Sequence, residues 1–250
     1  MDVRLGAAPV VTDLVRALEG VVIGLYVGGS LATGDYRPGV SDIDAVALMD
    51  RSPTPATRAV LAQTHQRLAQ DVGGGSVLHC VYVPSTNATV VTSKHWTWAF
   101  GELFRRPLSG IARAELLADP IVVAGPEPSS WLPPMGLEEL RGAARAELAG
   151  YWSRAVRKRS IWLEDVYVDI GLTVLARADA TIRDGTLITK SEAIARMPDL
   201  GVPREIVDGI ARRRRGRRVL MGDDQRQYRA LVVREFVTEE IARLLAPVVR

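Results

Sequence analysis

A single cysteine, Cys80, rules out any disulfide within the chain and any zinc site built on paired thiolates. Histidine is almost as scarce, at positions 65, 79 and 95 only. A bound metal should therefore be a hard cation held by carboxylates. No run approaches the ~20 uncharged apolar residues of a membrane span, and the first twenty residues read as a helix, not as an export signal. A reduced cytoplasmic setting is the expectation. Lysine is confined to Lys94, Lys158 and Lys190, so arginine supplies most of the positive charge behind a pI near 9.2. The formal net charge of +3 suits an anionic ligand such as a nucleotide, but it is too small to argue for nucleic acid as a partner.

What is present is ordinary globular composition, 47% hydrophobic and 24% charged over 250 residues. Residues Val10 to Glu19 carry helical spacing. Val21 to Val27, Ile43 to Met49, Val77 to Val83 and Ile121 to Ala124 read as buried strands. A helix entered at Pro53 and Pro55 should end near Gly73-Gly74-Gly75, and another should cover Ala112 to Leu117. Four prolines between Pro126 and Pro134 break the pattern. Beyond them only helical spacing is found, over Leu137 to Arg159, Ile161 to Arg183, Ser191 to Met197, Arg204 to Arg213 and Asp224 to Leu245. The expected architecture is α+β: an N-terminal domain with a small mixed sheet over residues 1–126, then an all-helical domain over 135–250.

The informative stretch is Leu25 to Asp50. A buried strand runs into Gly28-Gly29-Ser30, a glycine-containing loop follows, and Ser41-Asp42-Ile43-Asp44 opens the next strand. Glycines without a Cβ let backbone N–H groups approach phosphate oxygens, and Ser30 adds a hydroxyl. Asp42 and Asp44, one residue apart on a strand, project from the same face. Two neighbouring carboxylates are unfavourable unless a cation joins them. Mg²⁺ fits, since it accepts one or two carboxylates and fills its shell with water and phosphate oxygens. Ile43 between them should point into the core.

This Gly-Ser, loop, Ser-Asp-Ile-Asp pattern resembles the nucleotidyltransferase superfamily that includes DNA polymerase β, and the two-domain layout is most similar to the aminoglycoside (streptomycin/spectinomycin) adenylyltransferases. Phe100-Gly101-Glu102, Val123 to Pro126, and Leu175-Ala176-Arg177 followed by Thr189-Lys190 extend the resemblance. It implies transfer of AMP from Mg-ATP to a hydroxyl of a small-molecule acceptor, an aminoglycoside antibiotic among the candidates. It further implies that Gly29, Ser30 and Lys190 contact the triphosphate, that Asp42 and Asp44 bind Mg²⁺, and that the helical domain receives the acceptor. The family's third carboxylate, its general base, has no counterpart on the strand Val77 to Val83; His79 stands in its place. Either His79 takes the proton, or the site binds nucleotide without ordinary transfer, or His79 is a core histidine. A polycationic acceptor would call on Glu164, Asp165 and Asp169, with Trp96, Trp98 and Trp162 as stacking surfaces. Glu102 is a further candidate at the site, and Asp35 is expected to be a solvated loop residue. The family's acceptor-stacking tryptophan is Leu103 here. The run Arg212 to Arg218 reads as a solvated connection, while a nucleotidyltransferase acting on protein or RNA would give it a role.

Overall fold

The computed structural model describes residues 3–71 and 78–247. Gly73-Gly74-Gly75 and Val77 lie outside these. Two compact units are found, Met1–Met135 and Gly136–Arg250. Among the described residues no helix is long and apolar enough to cross a membrane.

The first unit opens with a 3-10 turn (Val3–Ala7) and α1 (Pro9–Ala17), followed by β1 (Gly24–Val27), α2 (Gly29–Ala32), β2 (Ile43–Met49), α3 (Pro55–Asp71) and β3 (Leu78–Pro84). Next come β4 (Lys94–Ala99), β5 (Glu102–Pro107), α4 (Gly110–Ala118) and β6 (Ile121–Ala124). The strands form one mixed sheet in the order β5-β4-β3-β2-β1-β6. β2 and β3 are parallel, with α3 in the connection between them, and the other pairings are antiparallel. β1 is buried along its whole length and β2 nearly so, as strands covered on both faces must be.

Helix α3 docks on one face through Leu61, Thr64, His65 and Leu68, the i, i+3, i+4, i+7 stripe of an amphipathic helix. With α1 it closes a core around Leu14, Leu25, Ile43, Ala45, Cys80, Tyr82 and Trp98. The other face carries a second cluster built on Tyr26, Val46, Leu48, Val81, Val83, Leu116 and Leu132. Leu132 belongs to the proline-rich break, so that segment folds over the sheet. Tyr26 fixes it there, its hydroxyl donating to the Pro126 carbonyl at 2.7 Å and its ring 5.3 Å from that of Trp131.

β1 begins three residues later than its hydrophobic run suggests. The Val21 and Val22 N–H groups turn back to the Leu18 carbonyl, at 2.9 and 3.2 Å, and cannot join a ladder. The β4–β5 hairpin has no counterpart among the strands expected from sequence.

The second unit is helical: α5 (Leu137–Glu147), a π turn (Leu148–Trp152), α6 (Ser153–Ala155), a 3-10 turn (Arg159–Leu163), α7 (Asp165–Asp184), α8 (Lys190–Arg196), α9 (Arg204–Arg214) and α10 (Asp223–Leu245). The long helix expected over Leu137 to Arg159 is interrupted where Gly150 sits in the π turn. At Gly171 of α7 an added Cβ would lie 2.9 Å from Trp162 and 3.0 Å from Trp152, so the helix packs directly on both indoles. Asp179, 1% exposed, is ringed by Arg183 (2.9 Å), Arg196 (3.0 Å) and Arg243 (3.0 Å).

Candidate functional site

Strand β2 and the turn after β1 are locked together. The Gly28 N–H donates to the Asp44 carbonyl at 2.9 Å, which takes it out of reach of a phosphate. Gly29 then adopts φ +59°, and a Cβ there would lie 2.7 Å from Asp44 Oδ2. The Asp44 carboxylate thus rests on the backbone of the glycine turn. Only glycine satisfies both the left-handed conformation and the close approach. Ser30 follows in α2, buried, with its carbonyl accepting from the Asp35 N–H at 2.9 Å.

The loop between α2 and β2 is folded inward. Asp35 is 6% exposed, with Arg37 Nη2 at 3.8 Å, so the expectation of a solvated residue is corrected. Ser41 is buried and its Oγ accepts from the Arg37 N–H at 3.0 Å. This bond closes the loop immediately before Asp42, a positioning role that the sequence reading did not assign to Ser41.

Ile43 is fully buried in the α1–α3 face, which turns Asp42 and Asp44 to the other one. Asp42 is half-buried and the Asp44 side chain is 55% exposed. Among the described residues no three His, Cys, Asp or Glu side chains gather as a metal cage. The donor set is hard, consists of two carboxylates and stands open to solvent beside a glycine turn. That suits Mg²⁺, which draws its remaining ligands from water and phosphate.

The parallel register places His79 directly opposite Asp44. Its Nδ1 stands 3.8 Å from Asp44 Oδ1, beyond hydrogen-bond length, and the side chain is 12% exposed. Its Nε2 is buried without a hydrogen-bond partner. The Phe100 ring lies 5.2 Å from the imidazole, tilted by 60°. Phe100 heads the β4–β5 turn with φ +55°, followed by Gly101 at +82°, and is 76% exposed. Such two-residue turns favour Asn-Gly, so a bulky phenylalanine there holds an uncommon backbone while its ring reaches His79.

Glu102 opens β5, exposed, and pairs with Ala99 on the Asp44 side of the sheet, two strands beyond His79. Trp98 is elsewhere. It pairs with Cys80, faces α3, is buried and stacks on His65 at 5.0 Å. As an acceptor surface it is corrected, because strand alternation turns it away from Asp44. Trp162 is fully buried against Gly171 and is corrected likewise. Trp96 is half-buried beneath Arg58, whose Cζ is 4.4 Å from the ring centre.

In the helical unit, Asp169 is gripped by Arg213 through Nε–Oδ2 at 2.8 Å and Nη2–Oδ1 at 2.6 Å. Burial raises the Asp169 pKa, and the Arg213 hydrogen bonds oppose that rise. Asp165 pairs with Arg229, itself 4% exposed, and lies 3.5 Å from Arg213. Both aspartates are therefore paired with arginines of the helical unit. Helical spacing marks them as polar positions without revealing that arginines 44 and 64 residues away neutralise them. Arg213 belongs to the run read as a solvated connection, yet it is only 13% exposed. Lys190 opens α8 just after Thr189, whose side chain forms a capping box with Glu192.

Residues 11–71 match the model of the nucleotidyltransferase domain family. Among solved structures the chain is similar to spectinomycin adenyltransferase AAD(9) from Enterococcus faecialis, determined with ATP and spectinomycin. Identity is 15% and the TM-score 0.70, covering 93% of this chain and 98% of that one. A weaker likeness, TM-score 0.35 at 11% identity, links 96% of the chain to 81% of the STING-associated CdnE c-di-GMP synthase of Capnocytophaga granulosa. No curated protein sequence matches.

Proposed function

From a chain that carries a nucleotidyltransferase domain and has the fold of an adenyltransferase, we propose that it transfers AMP from Mg-ATP to a hydroxyl of a small molecule. The observation that carries this reading is the Asp44 carboxylate resting on Gly29 while Gly28 is bonded to the Asp44 carbonyl. Metal ligand and phosphate turn then form one rigid piece.

Asp42 and Asp44 hold Mg²⁺, and the Gly29 and Ser30 backbone together with the Ser30 hydroxyl orient the triphosphate. When bound, the ion would neutralise negative charge on the triphosphate. His79 takes the proton of the acceptor hydroxyl at Nδ1, the ring nitrogen nearer Asp44. The acceptor oxygen bonds to the α-phosphorus as the bond to pyrophosphate breaks. Lys190 is assigned to the triphosphate on the resemblance alone.

The test is Mg²⁺-dependent pyrophosphate release from ATP across a panel of hydroxyl acceptors, aminoglycosides included. Release should fall at least about a hundredfold in Asp44→Ala and in Asp42→Ala. Turnover unchanged in both variants would sink the assignment. The buried, unpartnered Nε2 of His79 favours a second reading, a site that binds nucleotide without transferring it. That reading expects Mg-ATP binding with no pyrophosphate from any acceptor, and gain of release in His79→Glu.

A further inference from the structure

Phe100 departs in two ways from what its place in the chain favours. Glycines aside, it is the one described residue with a positive φ, +55°, and with Gly101 at +82° it makes the two-residue turn between Ala99 and Glu102. Asn-Gly forms such a turn more readily, because a short polar side chain tolerates the left-handed region and a bulky one does not. The ring is also 76% exposed, so the fold gains little by burying it. Its ring contact is with the His79 imidazole at 5.2 Å. Reversing the chain requires neither feature. Backbone held in a disfavoured region gathers at sites that use the side chain it carries.

Strand register places the ring at the candidate site. Asp44 is level with His79, and the β3–β4 pairing, which aligns Cys80 with Trp98, makes Ala99 the next residue level with His79. Phe100 thus directly follows a row that runs Gly28, Asp44, His79, Ala99 and Glu102 across the sheet. Neighbouring strands are ~4.8 Å apart, so β4 lies roughly 10 Å from β2, on the side away from β1. The glycine turn holds one flank of the Asp44–His79 pair and the Phe100 ring holds the other. A triphosphate on the turn leaves the His79 flank to the acceptor, whose hydroxyl must come within hydrogen-bond reach of Nδ1. A ring laid against an exposed phenyl face buries apolar surface on both partners.

We infer that Phe100 is the platform on which the acceptor seats, and that the acceptor carries a ring with a flat apolar face, aromatic or saturated, beside the hydroxyl to be modified. The inference rests on the nucleotidyl-transfer reading and adds a residue that touches the acceptor and the shape which that residue selects. An open-chain polyol offers the same hydroxyls but no face to lay on the phenyl ring. Glu102 closes the turn with an exposed carboxylate, an acceptor for hydroxyls at the rim of the ring.

The experiment is calorimetry on the full chain saturated with Mg²⁺ and α,β-methylene-ATP. The ring-bearing probes are benzyl alcohol, methyl α-D-glucopyranoside, myo-inositol and spectinomycin, and D-sorbitol is the open-chain control. At least one ring-bearing probe should bind and D-sorbitol should not; which of them binds separates an aromatic face from a saturated one. Phe100→Ala should weaken that probe by about tenfold or more, and Phe100→Tyr should hold it within about threefold, with affinity for the ATP analogue unchanged in both. Phe100→Asn, which suits the turn, should lose the probe as alanine does while its thermal midpoint stays at or above that of the wild type. A phenylalanine kept for packing alone would lower that midpoint, and this result overturns the inference. Equal probe affinity in Phe100→Ala overturns it, as does D-sorbitol binding as tightly as the best ring, or no saturable binding by any ring-bearing probe. A parallel loss of analogue affinity in Phe100→Ala assigns the ring to the nucleotide and overturns it too. If the wild-type chain fails to bind the analogue with Mg²⁺, the nucleotidyl-transfer reading falls first and the inference falls with it.

Discussion

Gly29 has no room for a side chain beside Asp44. Alanine there would meet Asp44 Oδ2 at 2.7 Å and would have to hold φ +59°. The conformational cost alone is about 1–2 kcal/mol, and the carboxylate must also move. Gly34 is the control, with φ +73° and nothing within 4 Å of an added Cβ. Thermal unfolding should show both Gly29→Ala and Gly34→Ala destabilised, while calorimetry should show Mg-ATP affinity falling at least about tenfold only in Gly29→Ala. Equal affinities would mean that the turn and the carboxylate act separately. Asp42, Asp44 and the glycine turn were legible because spacing on a strand fixes the face and glycine reports a close approach. Phe100 was legible only as part of a resemblance. Its positive φ is set by the hairpin, and the following glycine is the one sign of a tight turn.

Among the elements, α3 meets the sheet through a polar contact inside an apolar seam. His65 Nε2 lies 2.6 Å from the Tyr82 hydroxyl, and the imidazole stacks on Trp98. Burial, with a smaller contribution from His79, pushes the His65 pKa from 6.5 to about 4. In the unfolded chain His65 gains a proton as pH falls through 6.5, whereas in the folded chain it stays neutral until about 4. The unfolded state therefore binds more protons in this window, and stability drops as pH falls from 6.5 toward 4. From this group the chain should be about 2 kcal/mol less stable at pH 5 than at pH 7, read from urea midpoints. His65→Gln should flatten that slope; an unchanged slope would remove His65 as its source. The β4–β5 hairpin escaped the sequence reading for a related reason. Lys94 to Ala99 alternates only briefly, over His95 to Trp98, and Glu102 to Pro107 is an edge strand carrying two arginines. Its pairing comes from β3 and the Phe100-Gly101 turn, not from a pattern of its own.

Over the whole molecule, the α+β class with a helical second half followed directly from the change of hydrophobic period. The pairing of charges within the helical unit did not. Periodicity shows which positions are polar, and Arg183 lies four residues on from Asp179 in the same helix, yet the other partners of Asp165, Asp169 and Asp179 come from other helices, and sequence spacing is silent about those. The proline-rich segment was legible as a break but not as a cover. Tyr26, Leu116 and Leu132 share one cluster, with Trp131 packed against it. Where a fragment is cut therefore decides whether it survives in isolation. A recombinant piece stopping at residue 126 would bare the Tyr26 side of the sheet, and light scattering should show it self-associating. One carried through Met135 keeps its own lid and should stay monomeric and soluble. A proline-rich connector that looks like dispensable tether is, for the sheet beneath it, waterproofing.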